Sequence, residues 1–489
     1  MRENVSEKKL KRQLSPTHVW ALAFGCIIGW GSFVNPGKKF LPNSGVAGTA
    51  IAMALGAIVM IIIAFSYAYM IPKYPKAGGE FTFTKECFGK TKAFVCGWFL
   101  IAAYLTNVPM NSTAIGLIVD GIDGTADILK FGFHYTIAGF EIYFGEIIFA
   151  TAILVLFGVL NILGVKKAGI IQTILSTLLV GSVFVLAVSA FISSKAKGIN
   201  MTPIWGFDKH AAMAAGATTE TISDFAKGGS AGIISAILAT FAIAPWAYVG
   251  FDTIPQAAEE FKFSYKKVIS IMVVAILFGC FVYTTNNTVA AAALENWPDR
   301  VMAGEWVLLV AAEEMLGVFG KILIGTAVSC AVLSGIMGFY LASSRLMYSM
   351  AKDAYLPAVF SKIDNKYGTP KNAILFCLLI SLSGPVLGRE ALGWFVDMSA
   401  IGASMGFFFT SASALKTMKR DYDGKPILKV TAVLGMIFSV IFMILQLLPI
   451  PGLNGVHFGK ESYIILLVWI VIGLVFYFSK KKTLAKELG

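Results

Sequence analysis

Apolar runs of about 20 residues recur along the whole 489-residue chain, and they constrain its fold more than any other feature of the sequence. An α-helix needs about 20 residues to cross roughly 30 Å of hydrocarbon. Charged residues make up 14% of the chain and its mean hydropathy is +0.75, whereas about 25% of residues are charged in average globular proteins. The sequence therefore predicts an all-α integral membrane protein embedded in a lipid bilayer, without a large soluble domain.

The length of the apolar runs alone predicts twelve membrane-spanning helices. The predicted helices cover residues 17–36, 46–70, 93–119, 145–164, 168–192, 229–261, 265–291, 320–349, 372–388, 393–417, 427–449 and 462–479. The first is expected to be a retained helix rather than a signal peptide, because no small-residue cleavage pattern follows it.

Basic residues lie between the apolar runs instead of forming one patch, and their distribution predicts the orientation of the chain. With the N-terminus inside, 29 of the 40 Lys and Arg residues fall on the inner side. The positive-inside rule then places both termini in the cytoplasm. The plasma (inner) membrane is the expected location. Nucleic-acid binding is excluded, despite a net charge of +12, because that function requires clustered basic residues.

This sequence lacks the residues that the chemistry of several classes of membrane protein requires. The six cysteines have no paired metal-ligand spacing and the four histidines lie far apart, so neither an enzyme nor a metal site is predicted. No Walker motif is present, which excludes direct use of ATP, and no other cofactor is indicated. An ion channel would show pore-lining elements repeated in several subunits. The irregular helices of this sequence are instead two within one chain, which does not favour a channel.

Two predicted spans are poor helices in their middles. The first contains three glycines between Gly25 and Phe33, and the sixth contains Pro245 and Gly250. Breaks in the first and sixth spans occupy corresponding positions of two five-helix halves, a pattern typical of a transporter site between inverted repeats. Unwound carbonyls there can bind an ammonium group, and helix N-termini can bind a carboxylate. The alternative is that the glycines only permit close helix packing and Pro245 only kinks its helix.

Five short motifs in order resemble those of the amino acid-polyamine-organocation (APC) superfamily, over nearly the whole chain. They are Gly25–Phe33; Ser66–Ala68 with Pro72, Pro75, Gly78, Gly79, Phe81 and Phe83; Asn161 with Gly164–Lys166; Trp246–Asp252; and Ser344–Arg345 with Tyr348, Met350–Asp353, Leu356–Pro357 and Thr369–Pro370. The resemblance implies a leucine-transporter-type fold with discontinuous helices 1 and 6. It divides the chain into a first repeat (1–192), a second repeat (193–418) and two further helices (419–489).

The resemblance also implies alternating-access transport of amino acids, small or neutral ones in particular, as symporter or antiporter. The alternative substrate is a small organic amine or polyamine, and the coupling ion is H⁺ or Na⁺. The family pattern places a substrate ammonium against the carbonyls of Ile27, Trp246 and Val249. It places a carboxylate against the amides of Trp30, Gly31 and Ser32.

Aromatic and acidic residues complete the implied site. Trp246 and Phe339 resemble aromatics that close over a substrate, although both could simply be core or lipid-facing residues. Asp252 matches an acid that the family often uses in gating or proton sensing. Asp397 is expected to cap its helix, and Glu259 and Glu260 are expected to be solvated loop charges.

Three residues depart from the family pattern. Trp30 replaces a small residue between two glycines, Leu179 stands where some proton-coupled members carry a lysine, and Tyr69 replaces a common glutamate. The indole of Trp30 either fills part of the substrate cavity or packs into neighbouring helices.

Overall fold

The computed structural model describes residues 10–121, 128–137, 140–388, 391–450 and 457–487. Helices make up most of this part of the chain. Up to residue 192, the helices are α1 (Pro16–Ile27), α2 (Gly31–Asn35), a π-helical turn (Pro36–Phe40), α3 (Leu41–Lys73), α4 (Gly79–Phe88), α5 (Lys90–Leu105), α6 (Asn107–Gly121), α7 (Phe144–Ile162) and α8 (Val165–Ile192).

The second half repeats this mixture of long and interrupted helices. Its α-helices are α9 (Lys209–Ala214), α10 (Gly229–Phe241), α11 (Ala244–Ala247), α12 (Val268–Ala292), α13 (Trp297–Met302), α14 (Val307–Leu316), α15 (Val318–Lys352), α16 (Lys371–Ser381), α17 (Ser383–Leu387), α18 (Ala391–Arg420), α19 (Pro426–Leu447) and α20 (Lys460–Glu487). Its 3₁₀ helices are Gly198–Met201, Ile222–Phe225, Phe251–Glu260, Tyr265–Lys267 and Ala358–Ser361.

Nine helices in the described ranges are long and apolar enough to cross a membrane, and a bent pair can form a tenth span. The bent pair consists of Gly229–Phe241 and Ala244–Glu260, which meet at 40°. Two further predicted spans coincide with shorter apolar helices, Pro16–Ile27 and Lys371–Leu387. The prediction of an all-helical, multi-pass membrane protein agrees with this architecture.

One small sheet departs from the all-α prediction. Strands β1 (His134–Ile137) and β2 (Phe140–Tyr143) pair antiparallel, with His134 opposite Tyr143. The hairpin lies in the connection before α7, where the sequence has no apolar run and therefore gave no helix prediction.

Local chemistry explains where the first helix starts and stops. Ser15 caps α1 by accepting a hydrogen bond from the His18 N–H at 3.2 Å, and Pro16 occupies the first helical position. The helix ends at Ile27 because Ile28 is extended, and α2 starts only at Gly31. The predicted span 17–36 is therefore two short helices rather than one.

The sixth predicted span is interrupted in a similar way. Pro245 lies in the first turn of the four-residue α11, where its missing N–H is not needed. Gly250 then adopts φ +145°, a conformation that other residues rarely take, and the chain continues as the 3₁₀ helix Phe251–Glu260.

The core lies around α15, in which almost every residue from Gly320 to Ala351 is buried. α8 packs on α15 and α1, while α3 packs on α10 and α12. Apolar side chains on α8 and α20 are exposed instead, including Phe184, Leu467 and Val475. Exposed apolar faces of this extent fit contact with lipid.

Candidate functional site

The two chain interruptions lie against each other in the core. A Cβ at Gly250 would collide with backbone atoms of Ala23, Cys26 and Ile27, so the sixth-span break packs directly on the end of α1. A Cβ at Gly31 would collide with the ring of Trp246. The glycines therefore allow a close approach between both breaks, and the structure brings together the residues that the sequence singled out at Gly25–Phe33 and Phe241–Asp252.

Main-chain groups at the interruptions are only partly satisfied. Within the described chain, the N–H groups of Gly29 and Trp30 donate no backbone hydrogen bond. The carbonyl of Ile27 accepts only a long contact, 3.5 Å from the Tyr283 hydroxyl. Buried main-chain groups normally find partners. Groups left without them are suited to bind a polar ligand.

Other predicted ligand groups already have internal partners. The N–H and hydroxyl of Ser32 both donate to the carbonyl of Gly29, at 3.2 and 2.9 Å. The carbonyl of Trp246 accepts from the Val249 N–H at 3.2 Å. A ligand at these groups would have to replace or share the internal hydrogen bonds.

Trp30 and Trp246 form an aromatic pair beside the breaks. Their ring centroids lie 6.1 Å apart with the planes inclined by 55°. Both residues are buried, and the indole Nε1 of Trp30 is a buried donor for which the described residues provide no partner. The indole of Trp30 therefore faces the interrupted region. The ring of Phe339 stacks on that of Tyr104, with the two centroids 6.4 Å apart.

Asp252 belongs to a buried polar network that the sequence analysis largely missed. Its Oδ1 accepts from the Gly250 N–H at 2.7 Å, and its Oδ2 lies 3.0 Å from the Tyr104 hydroxyl. That hydroxyl is 3.2 Å from Oε1 of Glu80. Glu80 also accepts hydrogen bonds from the Tyr67 hydroxyl at 2.9 Å and from the amide Nε2 of Gln256 at 2.6 Å.

Glu80 is fully buried at the N-terminal end of α4. Removal from water, together with the nearby carboxylate of Asp252, raises the pKa of Glu80 to about 8. The signal available in the sequence was the position of Glu80, an acid between the motif residues Gly79 and Phe81.

Two expectations for acidic residues were wrong. Glu260 is not solvated, because it is buried and forms an ion pair with the buried Arg345 at 2.8 Å. Asp397 does not cap a helix, since it lies inside α18 and accepts a hydrogen bond from Ser462 at 2.6 Å. In both cases the partner comes from a distant helix, which sequence spacing does not show.

Asn111 is a second polar residue that the sequence analysis missed. It is buried on α6, and its Oδ1 has no hydrogen-bond partner among the described residues. A Cβ at Gly29 would lie 3.6 Å from this oxygen. An unpaired acceptor therefore faces the first interruption. Asn286 supports the same region from α12 by donating to the Ser32 carbonyl at 3.0 Å.

Comparison with known proteins assigns the family. The amino acid permease family matches residues 14–476. The branched-chain amino acid permease BcaP of Bacillus subtilis is 26% identical over 96% of this chain and 93% of its own length. The large neutral amino acids transporter small subunit 2 of Mus musculus is 27% identical over 76% of this chain and 64% of its own length. Cationic amino acid transporter 4, vacuolar, of Arabidopsis thaliana is 23% identical, and the match covers 87% of this chain and 66% of the relative.

These relatives are transporters rather than enzymes, and the match extends over both interrupted helices and nearly all of the chain. The apolar helices and the family match agree with the resemblance found in the sequence motifs. The chain is a multi-pass membrane protein that belongs to the amino acid permease family.

Proposed function

We propose that this protein is a secondary transporter that moves neutral amino acids with small side chains across the plasma (inner) membrane by alternating access. The observation that carries the proposal is the contact between the two chain interruptions, where main-chain donors and acceptors are left for a zwitterion. In this proposal the N–H groups near Trp30 and Gly31 bind the substrate carboxylate, and carbonyls of Ile27 and Val249 bind its ammonium group.

Preference for a neutral side chain follows from the surroundings of the interruptions. Asp252 is the acid at the sixth-span break, and its oxygens already face the Gly250 N–H and the Tyr104 hydroxyl. A cationic substrate side chain would therefore find no free carboxylate there. The indoles of Trp30 and Trp246 occupy the space beside Gly31, which favours a small side chain.

The proposal includes an architecture of twelve helices with two inverted repeats, residues 1–192 and 193–418, followed by helices in 419–489. It also includes cytoplasmic termini. Support comes from the corresponding interruptions in the first and sixth predicted spans and from the basic residues of the predicted inner loops.

Substrate counterflow into proteoliposomes tests the transport function without assuming a coupling ion. Vesicles preloaded with unlabelled alanine, valine, leucine, lysine or agmatine would receive the radiolabelled form of the same compound outside. We expect counterflow of alanine and valine above that of protein-free vesicles, and none of lysine or agmatine. Faster exchange of agmatine than of any amino acid would favour the alternative of an amine permease.

A further inference from the structure

Tyr104 bridges two buried carboxyl groups that come from different elements. Its hydroxyl lies within hydrogen-bond distance of Glu80 Oε1, Asp252 Oδ2 and the Asp252 carbonyl, at 3.2, 3.0 and 3.1 Å. Glu80 lies on α4, Tyr104 on α5 and Asp252 on the 3₁₀ helix that follows the sixth-span break.

The number of available hydrogens limits the charge of this cluster. A tyrosine hydroxyl carries one hydrogen, so it can donate to only one of the three oxygens. If both carboxyl groups were ionised, at least one carboxylate oxygen would face the lone pairs of the Tyr104 oxygen. A proton on either carboxyl group removes the conflict, because that group then donates to Tyr104 while Tyr104 donates to the other.

The contact between Glu80 and Gln256 is also compatible with a proton on Glu80. It spans 2.6 Å, and the other amide atom of Gln256, Oε1, has no partner in the described structure. An amide group offers both a donor and an acceptor, so Gln256 can pair with either protonation state of Glu80. With the amide oxygen of Gln256 turned toward it, a protonated Glu80 donates to Gln256.

The surroundings supply no positive charge to balance two carboxylates. The titratable groups that face the pair are Tyr67 on α3, Tyr104 and Cys96 on α5, and Cys26 on α1. Among the described residues, no Lys or Arg forms an ion pair with either carboxyl group: Lys85 of α4 pairs with Asp353, and Arg345 of α15 pairs with Glu260. Two unpaired buried charges of the same sign are costly, so one carboxyl group should hold a proton.

We propose that Glu80, Tyr104 and Asp252 form a proton-binding site in which the two carboxyl groups share one proton, and that this site couples transport to a proton gradient. The coupling part rests on the proposed transport function, whereas the shared proton does not. The 3₁₀ helix Phe251–Glu260 contains both Asp252 and Gln256. Any movement of that helix away from α4 therefore moves Asp252 and Gln256 away from Glu80. The proton affinity then differs between conformations, which is the thermodynamic condition for coupling.

Infrared spectroscopy tests the proton site on the purified full-length protein. A protonated carboxyl group gives a C=O stretching band that shifts on exchange into D₂O. We expect this band in the parent protein near neutral pH, and its loss in Glu80→Gln and in Asp252→Asn, because either change removes the need for the shared proton. Glu86→Gln, on the exposed side of the same helix, is the matched control and keeps the band. Identical spectra in all four proteins would overturn the proposal.

Transport measurements then test coupling. We expect the parent protein and Glu86→Gln to accumulate substrate when the outer buffer is acidic, and Glu80→Gln to reach only equilibrium. Above the pKa of the pair, counterflow by the parent protein should fall about tenfold per pH unit, while counterflow by Glu80→Gln stays flat with pH. Accumulation by Glu80→Gln equal to that of the parent would overturn the coupling role. If Glu80→Gln does not fold, Tyr104→Phe, which removes only the bridging hydroxyl, should still displace the infrared band; an unmoved band would count against the site.

If no compound gives counterflow with the parent protein, the transport proposal fails while the infrared result still decides the proton site.

Discussion

At the scale of single residues, Trp30 most clearly separates this chain from the family pattern. The sequence left open whether its indole faces the substrate or packs into neighbouring helices. In the structure the indole lies beside Trp246, and its buried Nε1 has no partner among the described residues. Because buried indole N–H groups usually have partners, this donor is suited to a polar ligand bound beside the interrupted region.

Trp30→Ser should widen the range of transported side chains. Removing the indole opens space beside Trp246, so leucine and phenylalanine should compete with labelled alanine more strongly than they do in the parent protein. Truncation of a buried indole should also lower the free energy of unfolding by about 3–5 kcal/mol. Trp20→Ser is the matched control, since Trp20 stacks on Phe24 of the same helix at 5.3 Å. An unchanged competition order in Trp30→Ser would make Trp30 a scaffold residue.

A side chain added at Gly31 would collide with one specific residue. Any side chain at this position meets the ring of Trp246, so Gly31→Leu should reduce counterflow to the level of protein-free vesicles while the protein still inserts. Gly181→Leu provides the control, because a Cβ at Gly181 meets nothing within 4 Å. Normal uptake kinetics in Gly31→Leu would show that Gly31 serves helix packing alone.

At the scale of elements, the sequence predicted helices well and their partners poorly. Apolar runs and the residues Pro245 and Gly250 are local signals, and the corresponding interruptions appear in the structure. The environments of Glu80 and Glu260 depend on distant elements, because Glu80 meets Tyr104 and Glu260 meets Arg345. A single sequence contains no signal for contacts between residues so far apart along the chain, so Glu260 was expected in solvent.

The ion pair between Glu260 and Arg345 joins the 3₁₀ helix Phe251–Glu260 to α15. Both side chains are almost completely buried, so Glu260→Gln should lower the free energy of unfolding by about 3–5 kcal/mol by leaving a buried charge unpaired. The exposed pair of Lys197 and Glu295 offers a comparison, and Glu295→Gln should lower the free energy of unfolding far less, because water screens that pair. Chemical denaturation in detergent measures both effects. Equal losses in the two variants would show that burial does not strengthen the pair.

At the scale of the whole molecule, the number of membrane crossings depends on the bent pair of helices. Nine described helices are long enough to span, and residues 229–260 add a tenth span only if both arms cross together. The broken backbone there is buried against α1, as membrane-depth irregularity requires.

Labelling of single cysteines from outside intact cells decides both the crossing and the orientation. Lys195 and Lys366 are exposed and are separated by the bent pair, α12 and α15. Three crossings put them on opposite faces, and the basic residues between Arg345 and Lys371 favour the inside for Lys366. We therefore expect an impermeant thiol reagent to label Lys195→Cys and to spare Lys366→Cys until the cells are permeabilised. The native cysteines are buried except for Cys280, which is partly buried, so Cys280→Ser is a suitable background. Labelling of both positions would mean that residues 229–260 re-enter the membrane instead of crossing it. Labelling of Lys366→Cys alone would show that the orientation is the reverse of the expected one.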